Sequence, residues 1–144
     1  MLFRSPVAAA QSVTTNEDVA KGITLAGSDV DNDTLTYTVV AGPSQGTLSG
    51  TAPNLTYTPA ALYAGPDSFT FKVNDGTVDS NIATVSITVT HVYHAPVAAA
   101  QSVTTNEDVA KAITLGATDV DGDALAYSVV AGPAHGTLDR KSVV

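Results

Sequence analysis

The chain has 144 residues, enough for one to two small domains. Its 14 acidic residues against 6 basic give a net charge of −8, which leaves no basic footprint for nucleic acid, makes anionic membrane surfaces poor partners and invites cations. With no cysteine, disulfides, zinc–thiolate sites and thiol nucleophiles are excluded, and with 6% aromatics and no Trp the core must be mostly Val, Ile, Leu and Ala.

The opening MLFRSP has too short an apolar run for a secretory signal, so any export signal is expected outside this chain. No segment approaches the ~20 apolar residues of a membrane helix, so no membrane insertion is expected. In chain order, strands are predicted at 9–14, 22–26, 34–41, 46–49, 54–58, 67–74 and 81–90. Three show clear alternation. Leu35, Tyr37 and Val39 share one face, with Thr34, Thr36 and Thr38 opposite. Phe69, Phe71 and Val73 face in while Ser68, Thr70 and Lys72 face out, and Val85, Ile87 and Val89 alternate with Thr84, Ser86 and Thr88. A period of two with Thr on the outer face is the signature of a half-buried strand. Gly42-Pro43, Ala52-Pro53, Gly65-Pro66 and Asn74-Asp75-Gly76 supply turns between the runs. Seven short strands at this spacing predict a sandwich.

PVAAAQSVTTNEDVAK occurs at 6–21 and again at 96–111, an offset of 90 residues. The match runs to Leu48 and Leu138, with 33 identities in 43 positions, and then stops: DRKSVV at 139–144 bears no relation to SGTAPN. A complete repeat is therefore expected over 6–92, a linker over 93–97, and the N-terminal half of a second copy over 98–144. A period of ninety is too long for a solenoid unit and close to one immunoglobulin-like domain. The second copy holds four of the seven predicted strands and lacks equivalents of Phe69, Phe71, Val85 and Ile87. About 45 residues without disulfide or metal are marginal alone. The half-repeat is expected to be loosely ordered, to pack on the first domain, or to have its sheet completed by another chain through the apolar strands within 112–131.

The phrases PVA…TNEDVA, DVDNDTLTY, GPSQGTL, LTYTPAALYAGPDSFTFKVNDG and TVSITV together resemble the bacterial cadherin-like or immunoglobulin-like (VCBS-like) tandem repeats of large surface adhesins, fully over 6–90 and partly over 96–138. The resemblance implies an all-β fold, a seven-stranded antiparallel Greek-key sandwich. It also implies export to the cell surface or medium, and calcium-dependent rigidity. The family's linker often carries Asn-Asp before Ala-Pro, whereas this one reads THVYHAP, with Tyr93-His94 in that place.

The richest chemical signal is SDVDNDTLTYTVV at 28–40, which sets Asp29, Asp31 and Asp33 on alternate residues, and TDVDGDALAYSVV at 118–130, which does the same with Asp119, Asp121 and Asp123. Alternate carboxylates of extended chain point the same way and repel, and a bound cation reverses the sign of that term. Calcium suits, with 6–8 oxygen ligands. In a seven-strand sandwich the loop after the second strand shares one end with the turn between the last two, which brings in Asp75 and Asp79 as further candidate ligands. Glu17 and Asp18 fall at the opposite end, near the chain exit, where cadherin analogy sets Asp119, Asp121 and Asp123 of the next repeat. Ten of the 14 acidic residues lie in the Glu-Asp pairs and aspartate triplets of the two copies. The competing reading is that the aspartates cap turns through Asx-type bonds. An EF-hand is excluded, because Thr34 and Ala124 stand where its glycine belongs, and Val40 and Val130 where its bidentate Glu belongs.

GPSQG at 42–46 matches a hydrolase nucleophile elbow, but a strand comes after it and the second copy reads GPAHG, so a turn is expected. His91 and His94 lack a third ligand of suitable spacing and read as solvated, and His135 reads as a turn residue with no chemical role. Tyr37, Tyr57 and Tyr63 read as core, leaving Tyr93 as the best exposed aromatic. Asn32 and Asn54 begin glycosylation sequons of a kind common by chance. The function expected is a non-enzymatic, calcium-stiffened spacer in an exported adhesin-type protein. A calcium-dependent module gripping a polysaccharide or a cell-surface protein is the alternative.

Overall fold

The computed structural model describes residues 4–139, and the chain divides into two compact units, Met1–Val92 and Tyr93–Val144. The sequence departure at 139–144 falls, beyond Asp139, outside the described residues. The first unit is all-β, with strands β1 (Val7–Ala8), β2 (Gln11–Asn16), β3 (Lys21–Thr24), β4 (Gly27–Ser28), β5 (Thr36–Ala41), β6 (Gly46–Thr51), β7 (Asn54–Pro59), β8 (Gly65–Asn74) and β9 (Ala83–Thr90). Strands in the order β2-β9-β8-β5 form one sheet and β3-β7-β6 the other, with β1 and β4 as a short separate pair. The chain changes sheet between β2 and β3, between β3 and β5, between β5 and β6, and between β7 and β8, as a Greek-key sandwich does.

Side-chain alternation builds the core as the sequence implies. Every second residue of β9, from Ala83 to Val89, is buried, and β8 buries Asp67, Phe69, Phe71 and Val73. Across the sandwich, β3 and β7 supply Ile23, Leu55 and Tyr57. Fully burying each large side chain stabilises the fold by roughly 1.5–3 kcal/mol. Thr and Ser on the outer faces suit exposed strands because branching at Cβ, or a small hydroxyl, fits a pleated surface.

One pairing departs from the antiparallel expectation: β2 runs parallel to β9, from Gln11 beside Val85 to Asn16 beside Thr90. The Asn81 side chain accepts the Ala8 amide at 3.1 Å and donates to the Ala8 carbonyl at 3.2 Å. That pair of hydrogen bonds fastens the incoming chain just ahead of β9, and β2 then runs alongside β9. It also explains why the first predicted strand, 9–14, sits at Gln11–Asn16: Val7 and Ala8 are drawn off to pair with Ser28 and Gly27.

The second unit reproduces the local structure of the first and loses its ladders. Here β10 (Val97–Ala98) pairs with β11 (Ala117–Thr118) in the register of β1 and β4. The Gln101 side-chain amide donates to Thr114 O at 2.7 Å, as Gln11 does to Thr24 O at 2.9 Å. Thr105 Oγ1 donates to Val109 O at 2.8 Å, as Thr15 Oγ1 does to Val19 O. The sequence implies four strands in this half-repeat, yet among its described residues only these two short ones form. Residues 101–106 have the sequence of β2 but no counterpart of β9 to receive their hydrogen bonds. Ile113 and Leu115 are 44% and 42% exposed, where their first-unit counterparts Ile23 and Leu25 are 4% and 3%.

Candidate metal centre

The loop between β4 and β5 carries Asp29, Asp31 and Asp33. Asp29 Oδ1 accepts the amides of Asp31 at 2.8 Å and Asp33 at 3.4 Å, an Asx-type turn. The turn requires a left-handed residue at its centre: Asn32 has φ 61°, and the second copy places Gly122 there with φ 76°. Asp31 Oδ2 accepts the Arg4 amide at 3.1 Å, tying the incoming chain to the loop. Asp29 Oδ2 is buried without a hydrogen-bond partner.

The second copy repeats this arrangement with its own residues. Asp119 Oδ1 accepts the Asp121 and Asp123 amides at 2.9 and 3.2 Å. Asp121 Oδ2 accepts the His94 amide at 2.7 Å, and His94 Nδ1 lies 2.9 Å from Asp121 Oδ1. One carboxylate oxygen from each of Asp119, Asp121 and Asp123 falls within 4.8 Å of the others, a spacing open to a shared cation. The Asx reading is thus realised for the first aspartate of each triplet. It leaves further oxygens available, because a carboxylate that accepts an amide keeps lone pairs for a cation.

The structure deals differently with the other expected ligands. Thr36 pairs with Asn74, so the 29–33 loop and the 75–79 turn share an end. Asp75 Oδ1 accepts the Thr77 and Val78 amides, both at 2.7 Å. Asp79 pairs with Lys72 Nζ at 2.6 Å and accepts from Asn74 Nδ2 at 2.8 Å. The Lys72 bond, then the Asn74 bond, hold the Asp79 carboxyl below its usual range. Both acids are engaged in their own hairpin. At the opposite end, Glu17 is 3% exposed. Its Oε1 accepts the Val92 amide and lies 3.4 Å from His91 Nδ1, while its Oε2 is buried without a hydrogen-bond partner. Asp18, with φ 58°, accepts the Leu62 amide at 3.1 Å.

Sequence reasoning passed over Asp67, a buried acid that accepts five hydrogen bonds. Asp67 Oδ1 accepts the Ser44 amide at 2.9 Å, the Ser44 hydroxyl at 3.3 Å and the Ser68 amide at 2.8 Å. Its Oδ2 accepts the Gln45 amide at 2.9 Å and the Tyr57 hydroxyl at 2.8 Å. Burial pushes the Asp67 carboxyl up, but the bonds from Ser44, Tyr57, Ser68 and Gln45 outweigh it and the net shift is downward. Burial and then the Asp67 bond push the Tyr57 hydroxyl well above its ordinary value. The available signal was parity, since Asp67 shares the inward register of Phe69, Phe71 and Val73. The network also accounts for GPSQG: Ser44 is anchored in the turn between β5 and β6, and the chain leaves that turn as strand β6.

A sequence profile described as the bacterial Ig domain matches residues 4–88 and 93–143. Integrin beta-like protein A of Dictyostelium discoideum is 35% identical over 109 residues; the alignment covers 64% of this chain and only 6% of that protein. Among solved structures, two endo-fucoidan hydrolases of glycoside hydrolase family 107 match in part. MfFcnA4 is 27% identical over 64% of this chain and 15% of its own, with TM-score 0.49. MfFcnA9 is 26% identical over 59% and 16%, with TM-score 0.44.

Proposed function

This chain belongs to the bacterial Ig domain family, and we propose that it serves as a calcium-stiffened, non-enzymatic repeat of an exported adhesin-type surface protein. The near-duplicate copies at an offset of 90 residues support a tandem-array role, and the acidic balance supports a cationic partner. The single observation that carries the calcium reading is Asp29 Oδ2, a buried carboxylate oxygen with no donor. Such an oxygen is costly unless a donor or cation meets it. The convergence of Asp119, Asp121 and Asp123 adds to it.

Asp119, Asp121 and Asp123, whose oxygens already converge, would hold one ion, and Asp29, Asp31 and Asp33, which do not converge to the same distance, would close in around another held first at Asp29 Oδ2. Asp75, Asp79 and Asp18 are engaged in the structural bonds described above, whereas Glu17 Oε2, buried without a donor like Asp29 Oδ2, stays open to a cation. When bound, the ion neutralises crowded carboxylates. The chain itself supplies the fixed loop: the Asx turn shapes it, and the Arg4 and His94 amides fasten it to the incoming segment. Extracellular calcium modules have Kd values of about 10⁻⁴–10⁻³ M, so millimolar calcium is expected to add ~1–2 kcal/mol. Thermal melting of the full chain with 2 mM calcium or with chelator tests this. A rise in Tm with calcium that vanishes in Asp29→Asn supports the reading; identical melts with no calorimetric heat overturn it. Binding on a glycan array would instead favour the ligand-gripping alternative.

A further inference from the structure

We propose that Gly27 and Ser44 select which copy of the repeated half-domain pairs with residues 54–90. That segment carries β7, β8 and β9 and receives β2, β3, β5 and β6 from residues preceding it. Residues 96–138 repeat 6–48 with 33 identities in 43 positions, so the inward side chains that 54–90 recognises are offered twice in one molecule. Ile113 and Leu115 keep 44% and 42% of their surface exposed, so the second set is accessible. Apolar burial cannot tell the copies apart.

Ten positions differ between them, and most are indifferent to the pairing. Thr34, Thr38 and Gln45 are exposed, and a Cβ at Gly22 meets nothing within 4 Å, so Ala112 would fit there; Thr36 Oγ1 donates to Asn74 O at 3.3 Å, a bond Ala126 cannot make, but it lies on the exposed face where water replaces it at little cost. Two positions are not indifferent. A Cβ at Gly27 would lie 3.1 and 3.3 Å from the two γ-methyls of Val73 on β8, and the second copy has Ala117 there. Val73 is fully buried, so it would have to give by a few tenths of an ångström inside the core. Ser44 Oγ reaches Asp67 Oδ1 at 3.3 Å, and the second copy has Ala134 there. An overpacked methyl and a lost hydrogen bond together disfavour the wrong copy by roughly tenfold or more. In an array of near-identical repeats this keeps each C-terminal half paired with its own N-terminal half.

The chain has no cysteine, so introduced thiols report the pairing cleanly. Ser12 and Ser86 are exposed register partners, and Ser102 is the counterpart of Ser12. In the full chain, S12C with S86C and a short thiol-specific cross-linker reports the native pairing. S86C with S102C reports the exchanged one, within a molecule or between two. The exchanged product is expected to rise roughly tenfold or more when A117G and A134S are added. These changes lie outside the first unit and leave its core intact. It is also expected to rise in G27A, which removes the advantage of the first copy. Equal yields of exchanged product in all backgrounds, high or nil, overturn the proposal.

Discussion

Asp67 shows how one buried acid can fix a turn, its own strand and a tyrosine. It accepts five donors, and neutralising it leaves several of them facing a weaker acceptor. Asp67→Asn is therefore expected to destabilise the first unit by about 2 kcal/mol in urea unfolding. The pH dependence has a definite sign. Because its folded-state pKa is depressed, the carboxylate contributes stability above the unfolded value of about 4, and that contribution is lost as pH falls through the lower folded value. Wild type should lose stability as pH falls below about 4, and Asp67→Asn should show a shallower slope there. An unchanged slope would assign the acid limb to other carboxylates. The aspartate triplets were legible in the sequence because they recur, and Asx capping was legible as an alternative. What escaped was the partner of each remaining acid. Whether Asp79 meets a cation or Lys72 depends on the hairpin that brings residues 72 and 79 together, which composition does not encode.

At the scale of single elements, the fold was legible wherever alternation alone decides. β5, β8 and β9 were each visible as runs of period two, to within a few residues of their ends. What was not legible depends on a partner. QSVTTN is a six-residue strand at Gln11–Asn16, and the same six residues at 101–106 form none, because only the first has β9 beside it. The entry to β2 is likewise fastened by a single side chain, Asn81, outside the strand. Asn81→Ala removes both bonds to Ala8 and leaves a buried backbone amide and carbonyl short of partners. A loss of about 1–3 kcal/mol is expected. Hydrogen exchange should locate it: amides of β1 and β2 should speed up well before those of β7 and β8. Uniform acceleration across both sheets would mean that the clasp supports the whole sandwich rather than its first strand.

For the whole molecule, the two units test what a half-domain can hold without the other half. The second unit keeps the contacts spanning only a few residues, such as Thr105 to Val109, and the short β10–β11 pair. Among its described residues nothing equivalent to Phe69, Phe71, Val85 and Ile87 covers Ile113 and Leu115. Local opening there should need little free energy, whereas opening β8 or β9 requires exposing the core. A broad-specificity protease should therefore cut within 99–131 at least roughly tenfold faster than within 11–90. Calcium makes this measurement sharper. An ion held by Asp119, Asp121 and Asp123 restrains the loop that carries them but brings no strand partner to 101–114. Added calcium should slow cleavage next to the second aspartate loop and leave cleavage over 101–114 unchanged. Equal protection of both regions would mean that the ion organises the half-repeat as a unit, and that its missing strands are not what limits it.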